Sequence, residues 1–417
     1  MTRDHKELGK ELEIFAFDDE IGRGLPLWLP NGTVVRDELE KLMRELEFEA
    51  GFQRIATPHL AKRELYVRSG HLPYFEEHMF PAMDVGENGL RFCLRPMNCP
   101  HHHKVFAVKK RSYRELPLRL AEYGQAYRYE DSGAVSGLLR VRGMCMNDAH
   151  IYCTREQIVG ECEAVLAMHR RVYDILGIEP CRLRLSIRGS APDAAAKYAD
   201  DLEAWREAEG LLRHVLVQSG LPFEEAEGEA AFYGPKIDFQ FRFAGGREET
   251  ASTLQLDFGS PRRLDLEYVG PDGAMHRPFI IHRAPLGTHE RFVALLLEHY
   301  DGAFPTWLAP CQLRVLPVSW RFADYGRKIV SRLRKRQVRA ELDDSGESLS
   351  KRIGQAAREK VPNLAIVGAR EEQAETVALR VRGDAEPIVM SLDLFENRLL
   401  SAIAERRLDE SSRLGND

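Results

Sequence analysis

The spacing of apolar residues predicts a long amphipathic helix over residues 33–50. Apolar side chains recur there at the i, i+3, i+4, i+7 positions that form one face of a helix. They are Leu39, Leu42, Met43, Leu46 and Ala50. Gly51 is expected to end this helix, and the segment from Phe52 to Pro58 is typical of a strand that stops at a proline.

The pattern changes to β-type runs over residues 116–153. The runs LPLRLAEYGQAYRYE and LLRVRGMCMNDAHIYC flank a Ser-Gly turn at 132–133, so we expect two antiparallel strands joined by a loop. Thr154 then starts a helix to about Leu176, since Gln157 stands at the capping-box spacing. Strands alternate with one helix near 200–218 up to residue 285, and a further helix covers 288–300.

The C-terminal part has the pattern of a small α/β domain. After a short hinge at 302–310, helices at 321–336 and 349–359 and a last helix separate four strand-like runs, which are LRVLPVS, VRAEL, NLAIVGA and VALRVRG. This β-α-β-α-β order predicts a mixed sheet. We therefore predict one domain at 1–302 and a second at 303–417.

Composition excludes several classes of protein. The 44% hydrophobic and 30% charged residues are near the globular average, which excludes disorder and coiled coil. The longest apolar runs, such as Phe292–Leu297, are too short for a membrane span, which needs roughly 20 residues. The acidic start excludes a secretory signal. Seven scattered cysteines without a CxxC pair indicate a reducing, cytoplasmic location.

Charge is unevenly distributed along the chain. The net charge is −6, yet the segment from Cys311 to Lys360 has 13 Lys/Arg against 6 Asp/Glu. Such asymmetry marks either a surface that faces a polyanion or a solvated helix face.

One cysteine and two histidines form a candidate metal site. Cys99 in RPMNCPHHH, His150 in NDAHIYC and His282 in IIHRAPLG would give three zinc ligands and an open fourth position, which suits a catalytic or substrate-binding ion. Their spacing matches no metal motif, so a structural role for each stays open. The run His101–His103 is an alternative, although adjacent residues cannot all point at one metal.

Four arginines and one glutamate are candidates for a triphosphate site. They are Arg128 and Glu130 in YRYE, Arg140 and Arg142 in LRVRG, and Arg291 in GTHERF. Strand alternation would put the first two on one face, and likewise the second two. Arginine matches phosphate oxygens bidentately, so a hairpin carrying these groups could hold a triphosphate. Surface solvation is the alternative, and no P-loop or GxGxxG occurs.

Several of these segments together resemble a known family. LAEYGQAYRYEDSGAVSGLLRVRGMCMNDAHIYC resembles motif 2 of the class II aminoacyl-tRNA synthetases, in its threonyl-tRNA synthetase version. GTHERF resembles motif 3, and residues 33–58 resemble motif 1, the dimerisation element. RPMNCP, FYGPKIDF, LQLDF, IIHRAPLG and FPTWLAP occur in that family in the same order, and the resemblance runs from Arg3 to about Leu400.

The resemblance implies a fold and an amino acid site. The expected fold class is α/β, with an α+β catalytic core on an antiparallel sheet flanked by helices, plus a smaller mixed-sheet α/β anticodon-binding domain. Cys99, His150 and His282 match the zinc ligands of the family, where Zn²⁺ holds threonine by its amino and hydroxyl groups. The other substrate-binding residues that it implies are Asp148, which accepts the hydroxyl hydrogen bond, Tyr233, which closes over the amino group, Met97 and Gln255.

The resemblance also implies an ATP site with Mg²⁺ bridging the phosphates. Arg128 would bind the α-phosphate and the threonine carboxylate, Glu130 the adenine amino group, and Arg140 and Arg291 the outer phosphates. Lys236 is a further positive group that we count with Arg128 and Arg291 as catalytic, and Met144 and Gln255 complete the ATP site. The expected reaction forms threonyl-adenylate and passes threonine to the 3′ end of tRNA(Thr). No side-chain nucleophile is needed, since positioning and charge neutralisation suffice.

Other family properties concern partners. A homodimer is expected from motif 1, and Glu371 and Arg380 fall where the family reads anticodon bases. The ubiquitin-like and editing domains that commonly precede this segment do not occur in the sequence. We therefore expect no cis-editing of seryl-tRNA, and a separate editing protein stays open as a partner.

The sequence departs from the family at a few positions, and two other functions stay open. Met144 replaces a phenylalanine that stacks on adenine, Met146 replaces a glutamine near the substrate, and Thr250 and Ser252 replace a glutamine and a glycine by the ribose. The alternatives are an enzyme that adenylates threonine but passes it to a non-tRNA acceptor, and a non-catalytic regulator that binds tRNA.

Overall fold

The computed structural model describes residues 3–86, 89–189, 198, 201–384 and 386–408. Within these residues the helices, α1 to α13 in chain order, are His5–Glu11, Pro30–Glu49, Arg63–Ser69, His71–Tyr74, Cys99–Phe106, Ile158–Leu176, Leu202–Ser219, Gly259–Leu264, His289–His299, Ala323–Lys335, Leu349–Arg358, Ala369–Ala374 and Leu392–Ala404. The strands, β1 to β21, are Phe15–Ala16, Leu27–Trp28, Gln53–Arg54, Leu60–Lys62, Met83–Val85, Leu90–Leu94, Arg111–Ser112, Leu118–Tyr127, Gly143–Cys153, Arg182–Ile187, Phe223–Glu227, Lys236–Arg242, Glu248–Asp257, Tyr268–Val269, Met275–His276, Phe279–Ala284, Leu313–Pro317, Ala340–Leu342, Asn363–Val367, Thr376–Val381 and Ile388–Ser391.

An eight-stranded sheet is the framework of the N-terminal part. Its strand order is β11-β10-β12-β13-β16-β9-β8-β3, and within the central run β12-β13-β16-β9-β8 each strand is antiparallel to the next. Helices α2, α6, α7 and α9 pack on one face and share one apolar core, which includes Leu39, Val165, Leu212 and Val293. The other face carries the polar groups described below.

The strongly periodic segments form the predicted helices, and the predicted strand at 52–58 is largely wrong. Helix α2 covers Pro30–Glu49, with Pro30 at the first helical position that proline favours. After it, only Gln53–Arg54 pair as a strand, parallel to β8 at the edge of the sheet. At 154–157 the predicted capping box is present, and it closes a short 3₁₀ turn that leads into α6.

The long hairpin β8–β9 is confirmed, but its strands are shorter than predicted. They end at Tyr127 and resume at Gly143, so the candidate phosphate ligands at 128–142 lie in the connecting loop rather than on strands. An isolated bridge between Ser136 and Arg140 folds the loop back on itself, which breaks the alternation assumed for Arg140 and Arg142.

The C-terminal part has the predicted mixed sheet. Its order is β18-β17-β19-β20-β21, with β17 parallel to β18 and β19, and the last two pairs antiparallel. Strand β21 and helix α12 add to the predicted elements. Arg339 joins the two parts by donating to Glu38 at 2.6 Å and to the carbonyl of Ala309 at 3.0 Å. In the described part of the chain, every helix is too short or too polar to traverse a lipid bilayer.

Candidate active site

Two adjoining cavities on the polar face of the large sheet bring together the predicted substrate and ATP residues. The larger, of about 720 Å³, is lined by Met97, Cys99, Arg128, Asp148, Tyr233, Lys236, Gln255 and His282. The smaller, of about 200 Å³, adds Glu130, Arg140, Met144, Thr250 and Arg291 and shares Arg128, Met146 and Gln255 with the first. Residues far apart in sequence thus form one continuous polar cleft.

Strand alternation aims these side chains into the cleft. Met144, Met146, Asp148 and His150 occupy alternate positions of β9 and therefore share one face. The register places His150 opposite His282 of β16, while Lys236 of β12 pairs with Gln255 of β13.

His150 lies at the end of a buried hydrogen-bonded chain. Nε2 of His102 is 3.0 Å from a carboxylate oxygen of Glu122, and Nδ1 of His102 is 2.9 Å from Nδ1 of His150. If the carboxylate accepts from His102, then His150 donates through Nδ1, and its Nε2 keeps a lone pair. That Nε2 is buried and has no hydrogen-bond partner among the described residues. Burial holds the pKa of His150 well below its ordinary value, which keeps the ring neutral.

His282 and Cys99 complete the set of donors. Nε2 of His282 is 2.9 Å from Asp257, and its ring centroid is 4.3 Å from that of His150. An imidazole whose second nitrogen is fixed by a hydrogen bond is the usual arrangement of a metal ligand. Sγ of Cys99 is 3.6 Å from Nε2 of His71. The chemistry of one thiol and two oriented imidazoles therefore fits Zn²⁺.

The predicted set of Cys99, His150 and His282 is not among the groups whose potential ligand atoms lie closest together. Where the structure describes the chain, two groups have ligand atoms that all lie within 4.8 Å of one another. One is His103, Asp257 and His282, in the same cluster; the other is Glu40, Cys145 and His289, discussed below. The run His101–His103 points in three directions, toward the carbonyl of Leu60, Glu122 and Tyr152 respectively.

Asp148 is a buried carboxylate beside this cluster. Its side chain is 8% exposed and accepts a hydrogen bond from the amide of Asn98 at 3.2 Å. Burial raises the pKa of Asp148 above its usual value. Gly124 allows Asn98 to approach, because a Cβ there would lie 2.2 Å from the Asn98 oxygen.

Tyr233 and Gln255 form the opposite wall. The Tyr233 hydroxyl donates to the Gln255 oxygen at 2.5 Å, and the tyrosine ring stacks on His282 with centroids 4.8 Å apart. Lys236 lies nearby and its ammonium contacts Asp238 at 2.8 Å.

The arginines are oriented by neighbouring groups. Arg291 donates to the carbonyls of Leu139 and Thr250 at 3.1 and 2.7 Å, and Arg128 donates to the carbonyl of Pro96 at 3.3 Å. Arg140 is paired with Glu130 at 2.7 Å. Burial lowers the pKa values of Arg128 and Arg291 from their ordinary value.

Two of the family departures have a structural account. Met144 is buried at the back of the smaller cavity, packed with Ala126 and Val141. The Ser252 hydroxyl bonds to the Tyr173 hydroxyl of α6, while the residue also lines the smaller cavity.

Sequence reasoning missed several residues of the site. His71, Asn98, Asp238 and Asp257 each contact a predicted site residue, and Glu122 contacts His150 through His102. Four of the five stand within the quoted motifs, which was a usable signal: Asn98 in RPMNCP, Glu122 in the motif 2 segment, Asp238 in FYGPKIDF and Asp257 in LQLDF. Only His71 lies outside them.

The two predicted anticodon residues lie in the C-terminal sheet domain. Glu371 is in the first turn of α12, where its carboxylate accepts from the Gly368 amide at 2.8 Å. Arg380 is on β20 opposite Leu364. The geometry leaves their role as a prediction.

Comparison with known proteins gives the class first. Residues 82–300 match the tRNA synthetase class II core domain (G, H, P, S and T), and residues 312–402 match an anticodon binding domain. Together with the antiparallel sheet and its cleft, these matches define a class II aminoacyl-tRNA synthetase core followed by an anticodon-binding domain.

Individual relatives narrow the family. The threonine–tRNA ligase of Streptococcus pneumoniae (strain ATCC 700669 / Spain 23F-1) is 48% identical over 97% of this chain and 62% of its own length. A crystal structure of the RNA binding domain of threonyl-tRNA synthetase from Cryptosporidium parvum superimposes with a TM-score of 0.90 at 34% identity, covering 98% of this chain and 100% of that one. A solved structure from Aeropyrum pernix that carries the threonyl-tRNA synthetase name gives a TM-score of 0.82 at 28% identity, covering 100% and 99%.

The chain therefore belongs to the threonyl-tRNA synthetase family. It spans 62% of the length of the curated relatives that it matches.

Proposed function

We propose that the chain is a threonine–tRNA ligase, which activates threonine with ATP and transfers it to the 3′ end of tRNA(Thr). The observation that carries the proposal is the buried carboxylate of Asp148, which lines a cleft with Cys99 and His282 that continues to Arg128 and Arg291. His150 is buried two residues further along β9. Curated relatives at 48% identity with the ligase name support it.

Asp148 would read the threonine hydroxyl by accepting its hydrogen bond. Valine is nearly isosteric but lacks the hydroxyl, so it would leave this buried carboxylate unpaired. In comparable hydroxyl-reading sites that penalty reaches about 10⁴-fold or more in specificity. Zn²⁺ held by Cys99, His150 and His282 would, when bound, act as a Lewis acid toward the amino and hydroxyl groups. Tyr233 would then cover the amino group.

The arginines would neutralise the reacting phosphates. A threonine carboxylate oxygen attacks the α-phosphorus, the bond to the β-phosphate breaks, and pyrophosphate leaves with both electrons of that bond. Arg128 lies where both cavities meet and suits the α-phosphate. Arg140 and Arg291 suit the outer phosphates, and Mg²⁺ would bind together with these phosphates. Lys236 adds positive charge. Glu130 can accept a hydrogen bond from the adenine amino group once Arg140 leaves its ion pair with Glu130 and binds a phosphate. Gln255 and Met144 complete the pocket.

Partners follow from the same family. We propose that residues 312–402 bind the anticodon arm through Glu371 and Arg380, and that the chain forms a homodimer through α2. Phe48 near the end of α2 is 83% exposed, which suits a surface that a second subunit covers. The described cysteines are free thiols, in keeping with a reducing cytoplasm. Serine carries the same amino and hydroxyl groups, so we propose misacylation with serine that this chain does not correct.

Pyrophosphate exchange followed by tRNA charging tests the proposal. Exchange should be strong with threonine, measurable with serine and negligible with valine. Asp148→Asn should reduce exchange with threonine by about 100-fold or more, because the amide is a poorer acceptor in that position. Asp174→Asn, an exposed aspartate on α6, is the charge-matched control and should behave as wild type.

The other outcomes separate the alternatives. Exchange without charging of purified tRNA(Thr) would indicate a threonine-adenylating enzyme with another acceptor. No exchange with any amino acid would indicate a non-catalytic regulator. Gel filtration that gives a monomer at micromolar concentration would contradict the homodimer, and rapid clearance of seryl-tRNA would contradict the absence of editing.

A further inference from the structure

A second cluster of metal-type side chains lies behind strand β9, away from the cleft. Cys145 stands between Met144 and Met146, whose side chains line the cavities, so alternation turns Cys145 to the opposite face. There it meets Glu40 of α2 and His289, the first residue of α9. One ligand atom from each lies within 4.8 Å of the other two.

His289 points into this cluster without a partner of its own. The residue is 0% exposed, and neither ring nitrogen has a hydrogen-bond partner in the described part of the chain. Buried polar atoms without partners are rare in proteins and call for an explanation such as a missing ion. The ring stacks on Tyr123 with centroids 5.7 Å apart, which fixes its plane, and Nδ1 is 3.8 Å from a Glu40 oxygen.

Burial sets the protonation state of each group in the cluster. Burial lowers the pKa of His289 to about 3, so its ring is neutral and has a lone pair to donate. Other charged groups face the site: Arg36 from α2, and Glu290, whose carboxylate accepts from the Cys145 amide at 3.0 Å. Burial raises the pKa of the Cys145 thiol to about 12 and also raises the pKa of Glu40, so a bound cation has to displace the thiol proton.

We propose that Glu40, Cys145 and His289 bind a divalent metal ion of the zinc class, at a site separate from the catalytic cleft. Zinc bonds of about 2.0–2.3 Å to oxygen, nitrogen and sulfur place tetrahedral ligands roughly 3.2–3.8 Å apart, so the present separations need only a small contraction. On binding, the Cys145 S–H bond breaks, the sulfur–metal bond forms, and the proton leaves to solvent. Thiolate with imidazole selects zinc-like ions over Mg²⁺ and Ca²⁺.

The site would connect the three segments that resemble motifs 1, 2 and 3 of the synthetase core. Glu40 belongs to the motif 1 helix, Cys145 to the motif 2 strand and His289 to the motif 3 helix that carries Arg291. A metal there would hold these elements together from behind the ATP cavity, without touching a substrate. Its role is therefore structural.

Metal stoichiometry tests the site. The full chain is loaded with Zn²⁺, dialysed to remove loosely bound ion, and its zinc is measured per chain. Cys145→Ala and His289→Ala should each hold one zinc fewer than wild type. Cys162→Ala, a buried cysteine of α6, is the matched control and should hold as many as wild type. Equal zinc in wild type and in both cluster variants would overturn the proposal.

A second measurement has a refuting outcome that needs neither of those variants nor the catalytic ion. Cys99→Ala removes the thiolate of the predicted catalytic site, so any remaining sulfur-to-metal charge-transfer band with Co²⁺ must come from another cysteine. We expect one such cobalt per chain in Cys99→Ala, and none once Cys145→Ala is added. A Cys99→Ala chain without that band would refute the second site, and it would leave the proposed ligase activity of the wild-type chain untouched.

Discussion

A buried ion pair ties the motif 1 helix to the large sheet. Arg283 of β16 donates to Glu47 of α2 at 2.7 Å and to the amide oxygen of Asn147 at 3.4 Å, while Asn147 donates to the same Glu47 oxygen at 3.1 Å. Arg283 is 0% exposed and Glu47 is 1% exposed. The guanidinium also lies over the Phe52 ring, 4.4 Å from its centroid.

Arg283→Met should be strongly destabilising, because it leaves the Glu47 carboxylate buried with one amide donor. Removing one partner of a buried pair costs about 3–5 kcal/mol in the free energy of unfolding. Adding Glu47→Leu removes the uncompensated charge, so the double variant should regain most of that loss. A deficit of about 1 kcal/mol should persist, since the cation–π contact with Phe52 is also lost.

Urea unfolding followed by tryptophan fluorescence measures these differences. The control is Arg171→Met, whose partner Glu49 is more than half exposed, as is Arg171 itself, so its loss should cost about 1 kcal/mol or less. The reasoning fails if Arg283→Met costs no more than this control. It also fails if the double variant is as unstable as the sum of the single substitutions, because the pair would then have no coupling.

Three further predictions concern pH, catalysis and the junction between the two parts. Burial lowers the pKa of His169 from 6.5 to about 4, so the stability that its neutral ring contributes is fully present above pH 6.5 and is lost as the pH falls toward 4. In urea unfolding, wild type should lose about 3 kcal/mol more free energy of unfolding than His169→Phe between pH 7 and 4. Parallel pH curves for the two proteins would contradict this prediction. Arg291→Lys should lower threonine-dependent pyrophosphate exchange by about 100-fold, because lysine cannot keep the planar fork fixed by Leu139; an unchanged rate would exclude a phosphate role. Arg339→Met should speed proteolysis in the 302–310 segment at least several-fold, since it removes the ion pair to Glu38; equal digestion rates would show that the junction does not depend on it.

Long periodic segments were predictable because burial of one face decides them. The helices at Pro30–Glu49, Ile158–Leu176 and His289–His299 and the hairpin strands all follow their apolar spacing. The failed strand at 52–58 is an edge segment, where only Gln53–Arg54 find a pairing partner. The rest of the segment forms a loop between elements, and no local sequence pattern distinguishes such a loop from a strand.

Family resemblance pointed to the residues that line the cleft, but the contacts that orient these residues could not be predicted. Asp148, Arg128 and Tyr233 occur in recognisable motifs, and the structure places them in one cleft. The chain from Glu122 through His102 to His150 joins residues that are 20 and 48 positions apart. Such contacts depend on the register of β8 against β9 and on the placement of α5, which sequence periodicity does not fix.

The alternation of β9 explains why one strand can serve two chemically distinct regions. Residues 144, 146 and 148 face the cleft, whereas 145 and 147 face the helices, where Cys145 meets His289 and Asn147 meets Glu47. A one-residue slip of register would exchange the two sets and place the thiol in the cleft and Asp148 against the apolar core. The buried contacts of Arg283 with Glu47 and Asn147 on the back face oppose such a slip, because it would leave the two charged groups without partners. The groups behind the strand therefore help to fix the positions of those that face the cleft.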